Sequence, residues 1–135
     1  MTNAALPPEP PTDSRRCPCL SGEDYPSCCG RFHAGAPAPT AEALMRSRYS
    51  AFALGDSGYL LQTWHPDTRP RDLDLDPDLQ WRRLDVLGTA AGGPLDTEGT
   101  VHFKAYWRAP EGRGVQEENS RFLRLDGRWY YLDGR

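Results

Sequence analysis

The spacing of apolar and polar positions divides the chain into a helical part and a strand-like part. From Thr40 onward, apolar residues recur three and four positions apart, which predicts an amphipathic helix. Thr40 is suited to cap the start of this helix and Gly55 to end it. A second, short helix is predicted to be capped by Asp56 or Ser57 and to end before His65-Pro66, because proline restricts the residue ahead of it.

The second half of the chain shows the composition and alternation of β-strands. Strands are predicted over residues 80–87, 100–108, 116–125 and 128–132. One face of the second strand carries Val101, Phe103, Ala105 and Trp107. Asp126-Gly127 is a strong signal for a hairpin between the last two strands. Helices followed by an antiparallel meander predict an α+β fold in which the helices pack on one face of a curved, mainly antiparallel sheet.

Segments rich in proline predict the domain organisation. Residues 1–14 lack the basic start and apolar middle of a signal peptide, and we expect them to form a disordered tail of a cytoplasmic protein. Residues 31–39 contain two prolines and small residues and are interpreted as a linker. We therefore predict a cysteine-containing unit over residues 15–35 and an α+β domain over residues 40–135, folding separately, with an exposed loop over residues 67–78.

Composition and charge narrow the classes of protein. The chain of 135 residues supports one domain with a substantial core. Its 16 basic and 19 acidic residues give a net charge of −3, so we expect no specific binding to nucleic acid. No apolar run approaches the roughly 18 residues of a membrane span, so no membrane segment is expected.

All four cysteines lie in one short stretch, as Cys17, Cys19, Cys28 and Cys29. The spacing is Cys-x-Cys, eight residues, then Cys-Cys, so a loop joins two close pairs of thiols and can bring them together. Four thiolates in a closed tetrahedron are typical of structural zinc. We predict one Zn²⁺ per chain, with Arg15, Arg16 and Arg31 offsetting the negative charge of the centre.

Other uses of these cysteines remain open at this stage. A disulfide between Cys28 and Cys29 would be strained, and one between Cys17 and Cys19 would close a very small ring. Four unconnected thiols would make the clustering a coincidence. Zinc is favoured over an iron–sulfur cluster because the ligands form two tight pairs in one loop. His33 is an alternative ligand, although the four cysteines already complete the tetrahedron.

The cysteine segment resembles the SEC-C motif, a small zinc-binding element found at the C-terminus of the export motor SecA and in many other bacterial proteins. The resemblance rests on the cysteine spacing, on Tyr25 inside the loop and on Gly30 after it. The family usually has Gly-Ser-Gly after the second cysteine, where this chain has Leu20-Ser21-Gly22. A turn made by the first glycine must therefore be made here by leucine or be moved by one residue.

The rest of the chain resembles the bacterial YchJ-like family, whose members carry a SEC-C element ahead of such a domain. The motifs that carry the resemblance are residues 44–52, Tyr59-Leu60, residues 63–66, residues 120–122 and residues 127–134. The resemblance implies a cone-shaped nuclear transport factor two-like fold and no particular activity. SEC-C elements that dock protein partners favour a non-catalytic adaptor in translation, export or protein quality control. The sheet of this fold could also pair two chains as a homodimer.

An enzyme or small-molecule binder that uses the cone is the alternative. The residues predicted to meet in a pocket are Arg48, Trp64, His65, Trp107 and Trp129, and His65 is the best general-base candidate because histidine titrates near neutrality. Arg48 could instead pair with a buried carboxylate such as Glu118. A filled or nearly filled cone is favoured, since no second catalytic group is visible and large rings usually serve packing.

Overall fold

The computed structural model describes residues 16–135, so the predicted tail and Arg15 lie outside the described residues. A 3₁₀ turn at Tyr25–Ser27 precedes the helices α1 (Cys29–His33), α2 (Ala41–Leu54) and α3 (Ser57–Gln62). The strands are β1 (Gln80–Ala91), β2 (Glu98–Ala109), β3 (Gly112–Leu125) and β4 (Arg128–Gly134). Within residues 16–135, no helix is long and apolar enough to cross a membrane.

The two principal helices begin and end as their capping residues predict. The side-chain oxygen of Thr40 accepts a hydrogen bond from the Ala43 backbone N–H at 3.0 Å and satisfies one of the free donors at the start of α2. Gly55 ends this helix with a φ of 76°, in the left-handed region that glycine enters without strain. Asp56 caps α3 through the backbone N–H of Tyr59 at 3.0 Å.

The four strands form one antiparallel sheet in sequence order, which confirms the predicted α+β meander. Asp126 and Gly127 have φ angles of 51° and 81°, as a two-residue hairpin turn of the primed type requires. The register places Val101 opposite Ser120 and Phe103 opposite Glu118. The inner face of the sheet, which we define as the face toward α2, therefore combines apolar side chains from β2 with polar ones from β3.

Helix α2 is buried on two sides. Leu44, Met45 and Tyr49 are buried with the sheet residues in one core, and that core also includes Cys17 and Phe32 from the N-terminal segment. The cysteine segment and the α+β domain therefore share buried apolar surface, which argues for coupled folding, and the prediction that they fold separately stays a prediction. A shared core makes two segments stabilise each other.

The interpretation of residues 31–39 as a linker needs correction. The first part of this segment belongs to α1, and both Phe32 and Ala38 are buried. Trp129 Nε1 donates a hydrogen bond to the backbone oxygen of Pro39 at 3.3 Å and holds the segment against the sheet. The two prolines prevent regular structure but leave the chain free to lie flat on the domain.

Candidate metal centre and cavity

The four cysteine sulfurs form a compact cluster. The Sγ atoms of Cys17, Cys19, Cys28 and Cys29 all lie within 4.8 Å of one another, and those of Cys19 and Cys28 are 3.6 Å apart. Tetrahedral coordination with Zn–S bonds of about 2.3 Å separates the sulfurs by about 3.8 Å. All four cysteines are free thiols, and a disulfide would need sulfurs about 2.05 Å apart. The cluster therefore fits a metal ion held by four thiolates.

The crowded thiols differ in acidity. Hydrogen bonds from the thiols of Cys19 and Cys29 hold the pKa of Cys17 far below its usual range. The pKa of Cys29 is raised, first by its hydrogen bond to Cys17 and also by that to Cys19 and by burial. The hydrogen bond to Cys17 is also the main cause that raises the pKa of Cys19, to about 11. A bound dication would favour ionisation of all four thiols by placing positive charge where they converge.

Three arginines bring positive charge to the backbone around the sulfurs. Arg31 Nε donates a hydrogen bond to the Cys28 backbone oxygen at 3.1 Å, and Arg46 Nη1 donates to that of Cys19 at 3.2 Å. Arg16 Nη1 donates to the backbone oxygen of Gly22. Arg16 and Arg31 were expected from their flanking positions. Arg46 was not, because it reaches the cluster from α2 and no sequence spacing indicates that approach.

The cysteine segment docks on α2 through polar contacts as well as apolar ones. Ser50 Oγ lies 3.4 Å from Cys17 Sγ, and both residues are buried. His33 Nε2 donates to the Ser47 backbone oxygen at 2.8 Å. Because a carbonyl oxygen only accepts, Nε2 carries the proton, and Nδ1 accepts from Tyr25 Oη at 2.6 Å. With both ring nitrogens bound in this way, His33 joins the segment to the domain and is not a fifth ligand candidate.

The turn after the second cysteine is made by Leu20 itself and is not moved by one residue. Its φ is 65°, in the left-handed region, where a residue with a Cβ atom is strained by about 1–2 kcal/mol. Its side chain is 56% exposed, so little packing opposes its removal. We therefore expect Leu20→Gly to raise the free energy of unfolding by about 0.5–1 kcal/mol, the relief of strain exceeding the added entropy of the unfolded chain.

Urea unfolding of the metal-loaded protein measures this effect as a higher midpoint at an unchanged slope. Leu95→Gly is the control, because Leu95 is 92% exposed and has no positive φ. A lower midpoint for Leu20→Gly than for the wild type would contradict the assignment of strain to this residue.

A cavity of about 180 Å³ lies between α2 and the inner face of the sheet. Its walls include Met45, Arg48, Tyr49, Phe52, Trp64, Trp81, Phe103, Gln116, Glu118, Ser120, Phe122 and Tyr131. The volume is below the roughly 300 Å³ at which ordinary ligand pockets begin. It exceeds the about 150 Å³ that accommodates benzene in an apolar core. The cone is thus nearly filled, as favoured by the sequence, but retains space for a small molecule.

Arg48 is buried beside this cavity without the carboxylate partner that the sequence favoured. It is 6% exposed and forms no ion pair with any described residue, Glu118 included. Its Nη1 donates to the Leu60 backbone oxygen at 2.8 Å and to Thr63 Oγ1 at 2.7 Å. Burial lowers the pKa of Arg48 to about 10, so the side chain remains charged at neutral pH.

The predicted pocket residues separate into different places. Arg48 and Trp64 line the cavity, whereas His65, Trp107 and Trp129 do not. The backbone N–H of His65 donates to the Tyr131 backbone oxygen at 2.7 Å, and its ring Nδ1 accepts from the Asp67 backbone N–H at 3.0 Å. It therefore closes a turn, and no cavity geometry supports its assignment as a general base.

Trp107 and Trp129 lie outside the cavity for different reasons. Trp107 lies beyond the cavity, packed over Gly114, where an added Cβ would come within 2.5 Å of its ring. Trp129 packs against residues 35–39 and helps to line a separate pocket there. Both follow the predicted strand alternation, but alternation fixes the face of a sheet and not the position along it.

Sequence reasoning missed part of the polar wall of the cavity. Gln116 and Ser120 lie on the same face of β3 as Glu118, opposite the apolar stripe of β2. The signal was present in the alternation of β3, since these residues occupy every second position of a predicted strand whose next inward residue is the buried Phe122. Polar residues in phase with a core face predict a polar patch against the helices.

Comparisons with known proteins cover nearly the whole chain. The family model described as YchJ, middle NTF2-like domain, matches residues 40–134. A UPF0225 protein of Streptomyces coelicolor is 56% identical over 128 residues, which cover 94% of this chain and 96% of the relative. A UPF0225 protein of Corynebacterium glutamicum is 54% identical over 121 residues, which cover 89% and 96%.

Two solved structures have the same fold. The solution structure of a SEC-C motif containing protein from Rhodopseudomonas palustris has a TM-score of 0.76 and 36% identity, over 88% of this chain and 96% of that one. The crystal structure of a SEC-C motif containing protein from Psychrobacter arcticus has a TM-score of 0.75 and 30% identity, over 90% and 82%. With its N-terminal cysteine cluster and its NTF2-like domain, the chain belongs to the YchJ-like UPF0225 family.

Proposed function

We propose that the protein is a non-catalytic adaptor whose four cysteines hold one structural Zn²⁺ and whose metal-bound segment presents a surface to a protein partner. The observation that carries the proposal is the convergence of the four sulfurs within 4.8 Å of one another. Catalytic zinc normally has three protein ligands and an open position, whereas four thiolates close the site. The metal would then supply folding energy and no reactive water.

The burial of the sulfurs supports a structural metal. Cys17, Cys19 and Cys29 are at most 1% exposed, so a substrate has no access to the ion from their side. Cys28 is half-buried, and Ser21 Oγ lies 3.1 Å from its sulfur, where the hydroxyl can donate to a thiolate. Zinc is preferred over other divalent ions because it combines thiolate ligands with tetrahedral geometry and needs no redox partner.

The exposed loop of residues 20–24 is the surface that we assign to the partner. Leu20 projects from it and is 56% exposed, beside the exposed acidic residues Glu23 and Asp24. A partner that offers an apolar side chain flanked by basic groups would complement this loop. A role in translation, export or protein quality control is proposed by analogy with other SEC-C elements.

A matched pair of variants tests the adaptor proposal. Leu20→Asn keeps a residue that tolerates the left-handed φ but removes the apolar surface. Leu95→Asn makes the same change at a residue that is 92% exposed in the turn between β1 and β2. In quantitative affinity capture from cells, we expect Leu20→Asn to reduce recovery of the specific partner at least about tenfold, which corresponds to a loss of about 1.4 kcal/mol of binding free energy. Leu95→Asn should change the recovery little. Equal recovery by both variants and the wild type would contradict an assignment of the partner to this loop.

Small-molecule binding is the second candidate function, and the cavity beside Arg48 is the observation that favours it.

A homodimer through the sheet stays a prediction. The outer face of the sheet carries hydrogen-bonded polar pairs such as His102 with Glu117, whose side-chain atoms are 2.7 Å apart. A dimer through that face would rest on polar contacts and not on a large apolar area.

A further inference from the structure

We propose that the cavity between α2 and the sheet binds a small, single-ring carboxylic acid that carries an amino or hydroxyl group at its other end. In this arrangement the carboxylate meets Arg48, the ring fills the aromatic part of the cavity, and the donor group meets Glu118. The proposal is independent of the metal centre and of the adaptor surface.

The strongest support comes from two side chains, Arg48 and Trp64, that have N–H groups without acceptors. The Nε and Nη2 atoms of Arg48 make no hydrogen bond to any described residue, since only Nη1 is engaged. Trp64 Nε1 is buried and likewise has no partner within residues 16–135. Both residues line the cavity, and the Arg48 guanidinium carbon is 5.2 Å from the Trp64 ring centroid. A buried charge without an ion-pair partner and a buried N–H without an acceptor are costly, so their placement together favours an anionic ligand.

The aromatic walls explain how Arg48 is tolerated without that ligand and also favour a flat one. The guanidinium carbon lies 4.6 Å from the Tyr131 ring centroid, and cation–π contacts with Tyr131 and Trp64 partly replace hydration. A carboxylate is the anion that matches the planar guanidinium with two parallel hydrogen bonds. The cavity of about 180 Å³ has room for one ring with short substituents.

Glu118 supplies the acceptor for the donor group of the ligand. Its Oε2 accepts from Ser120 Oγ at 2.5 Å and from Tyr131 Oη at 3.0 Å. Its Oε1 has only a long contact of 3.5 Å with Gln116 Nε2, so this oxygen is free to accept from a ligand. Burial, and next the charge of Glu118, raise the pKa of Tyr131, which keeps its hydroxyl protonated and donating.

The backbone around Glu118 keeps the carboxylate in this position. A Cβ atom on Gly134 would lie 2.1 Å from the Glu118 carboxyl carbon, so glycine at this position of β4 leaves the space that the carboxylate occupies. Gly134→Ala would push Glu118 out of place without changing any charge. It therefore offers a way to disturb the donor-binding end that is separate from substitution of Glu118 itself.

Indole NMR signals can report binding site by site on the metal-loaded full chain. Of the four tryptophans, Trp64 and Trp81 line the cavity, whereas Trp107 and Trp129 do not. The probes are para-aminobenzoate, benzoate and aniline, which carry both polar groups, the carboxylate alone and the amine alone. We expect saturable shifts of the Trp64 and Trp81 indole signals only. Para-aminobenzoate should bind at least about fivefold more tightly than benzoate. Benzoate should bind more tightly than aniline, because charge-assisted hydrogen bonds to the carboxylate are the stronger ones.

Variants separate the two ends of the site. Glu118→Gln should reduce the advantage of para-aminobenzoate over benzoate at least about threefold, whereas Glu117→Gln, the same change on the outer face of the same strand, should leave it unchanged. Arg48→Lys should weaken both carboxylates about tenfold and leave aniline unaffected, because lysine cannot form the bidentate pair. If Arg48→Lys does not fold, the Glu118 and Glu117 comparison decides alone.

Three results would overturn the proposal. The first is the absence of saturable shifts at Trp64 and Trp81 with all three probes at concentrations up to about 10 mM, where even ligands of about −3 kcal/mol become visible. The second is aniline binding as tightly as para-aminobenzoate. The third is an equal effect of Glu118→Gln and Glu117→Gln on the preference for para-aminobenzoate.

Discussion

Cys17→Ser is expected to destabilise the whole described chain and not only the cysteine segment. Cys17 is 1% exposed, lies 3.4 Å from Ser50 on α2, and belongs to the same core as Leu44 and Tyr49. Loss of one of four ligands removes most of the metal-binding free energy, which reaches about 10–16 kcal/mol for structural zinc in small peptides. We expect the free energy of unfolding to fall by about 4 kcal/mol or more, since the docked segment would detach from α2.

Thermal unfolding followed by tryptophan fluorescence measures this loss. All four tryptophans, at positions 64, 81, 107 and 129, lie outside the cysteine segment, so the signal reports the α+β domain. We expect the transition of Cys17→Ser to fall by about 15 °C or more. Wild-type protein treated with a chelator should show the same fall and recover on addition of zinc, whereas the variant should not recover. An unchanged tryptophan transition after metal loss would contradict the coupling and would support the prediction of separate folding.

His33→Ala is expected to have the second largest effect, a loss of about 2–3 kcal/mol. The substitution removes the acceptor of Tyr25 Oη and the donor to the Ser47 backbone oxygen, and each polar group left without a partner costs about 1–3 kcal/mol. It also removes the ring that packs on Tyr59 at a centroid distance of 4.5 Å. The effect arises at the junction of the cysteine segment with α2 and leaves all four sulfurs in place.

The matched control is His102→Ala on the outer face of the sheet. The His102 side chain is 43% exposed and pairs only with the exposed Glu117, a kind of contact worth about 0–1 kcal/mol. Urea unfolding of both metal-loaded variants compares them directly. A loss below about 1 kcal/mol for His33→Ala, or equal losses for the two variants, would show that the histidine bridge does not hold the segment on α2.

Elements of this fold with strong local signals could be predicted from the sequence. Thr40 and Gly55 mark the ends of α2 because capping chemistry acts within one turn, and Asp126-Gly127 marks a hairpin because only certain residues accept its backbone angles. The SEC-C spacing brings the four cysteines to one place for the same local reason. The turn at Leu20 shows that a motif can persist where its usual glycine is replaced.

Features that depend on contacts between distant segments could not be predicted in this way. Ser47 and Ser50 carry no pattern that distinguishes a docking surface from an ordinary polar helix face, yet both are fully buried beneath the cysteine segment. His65 resembled a catalytic residue because histidine titrates near neutrality, but its hydrogen bonds belong to a turn. Arg48 was correctly expected to point inward, while its lack of a carboxylate partner depends on distances that alternation cannot supply.

Zinc K-edge X-ray absorption, combined with metal analysis of protein purified without added metal, tests the central claim most directly. The account predicts one zinc per chain with four sulfur ligands at about 2.3 Å and no oxygen ligand. Cys28→Ser serves as the comparison and should lose the four-sulfur signature. A disulfide in the purified protein, fewer than three sulfur ligands on the metal, or a centre with an open water position would contradict the assignment of a closed structural zinc site.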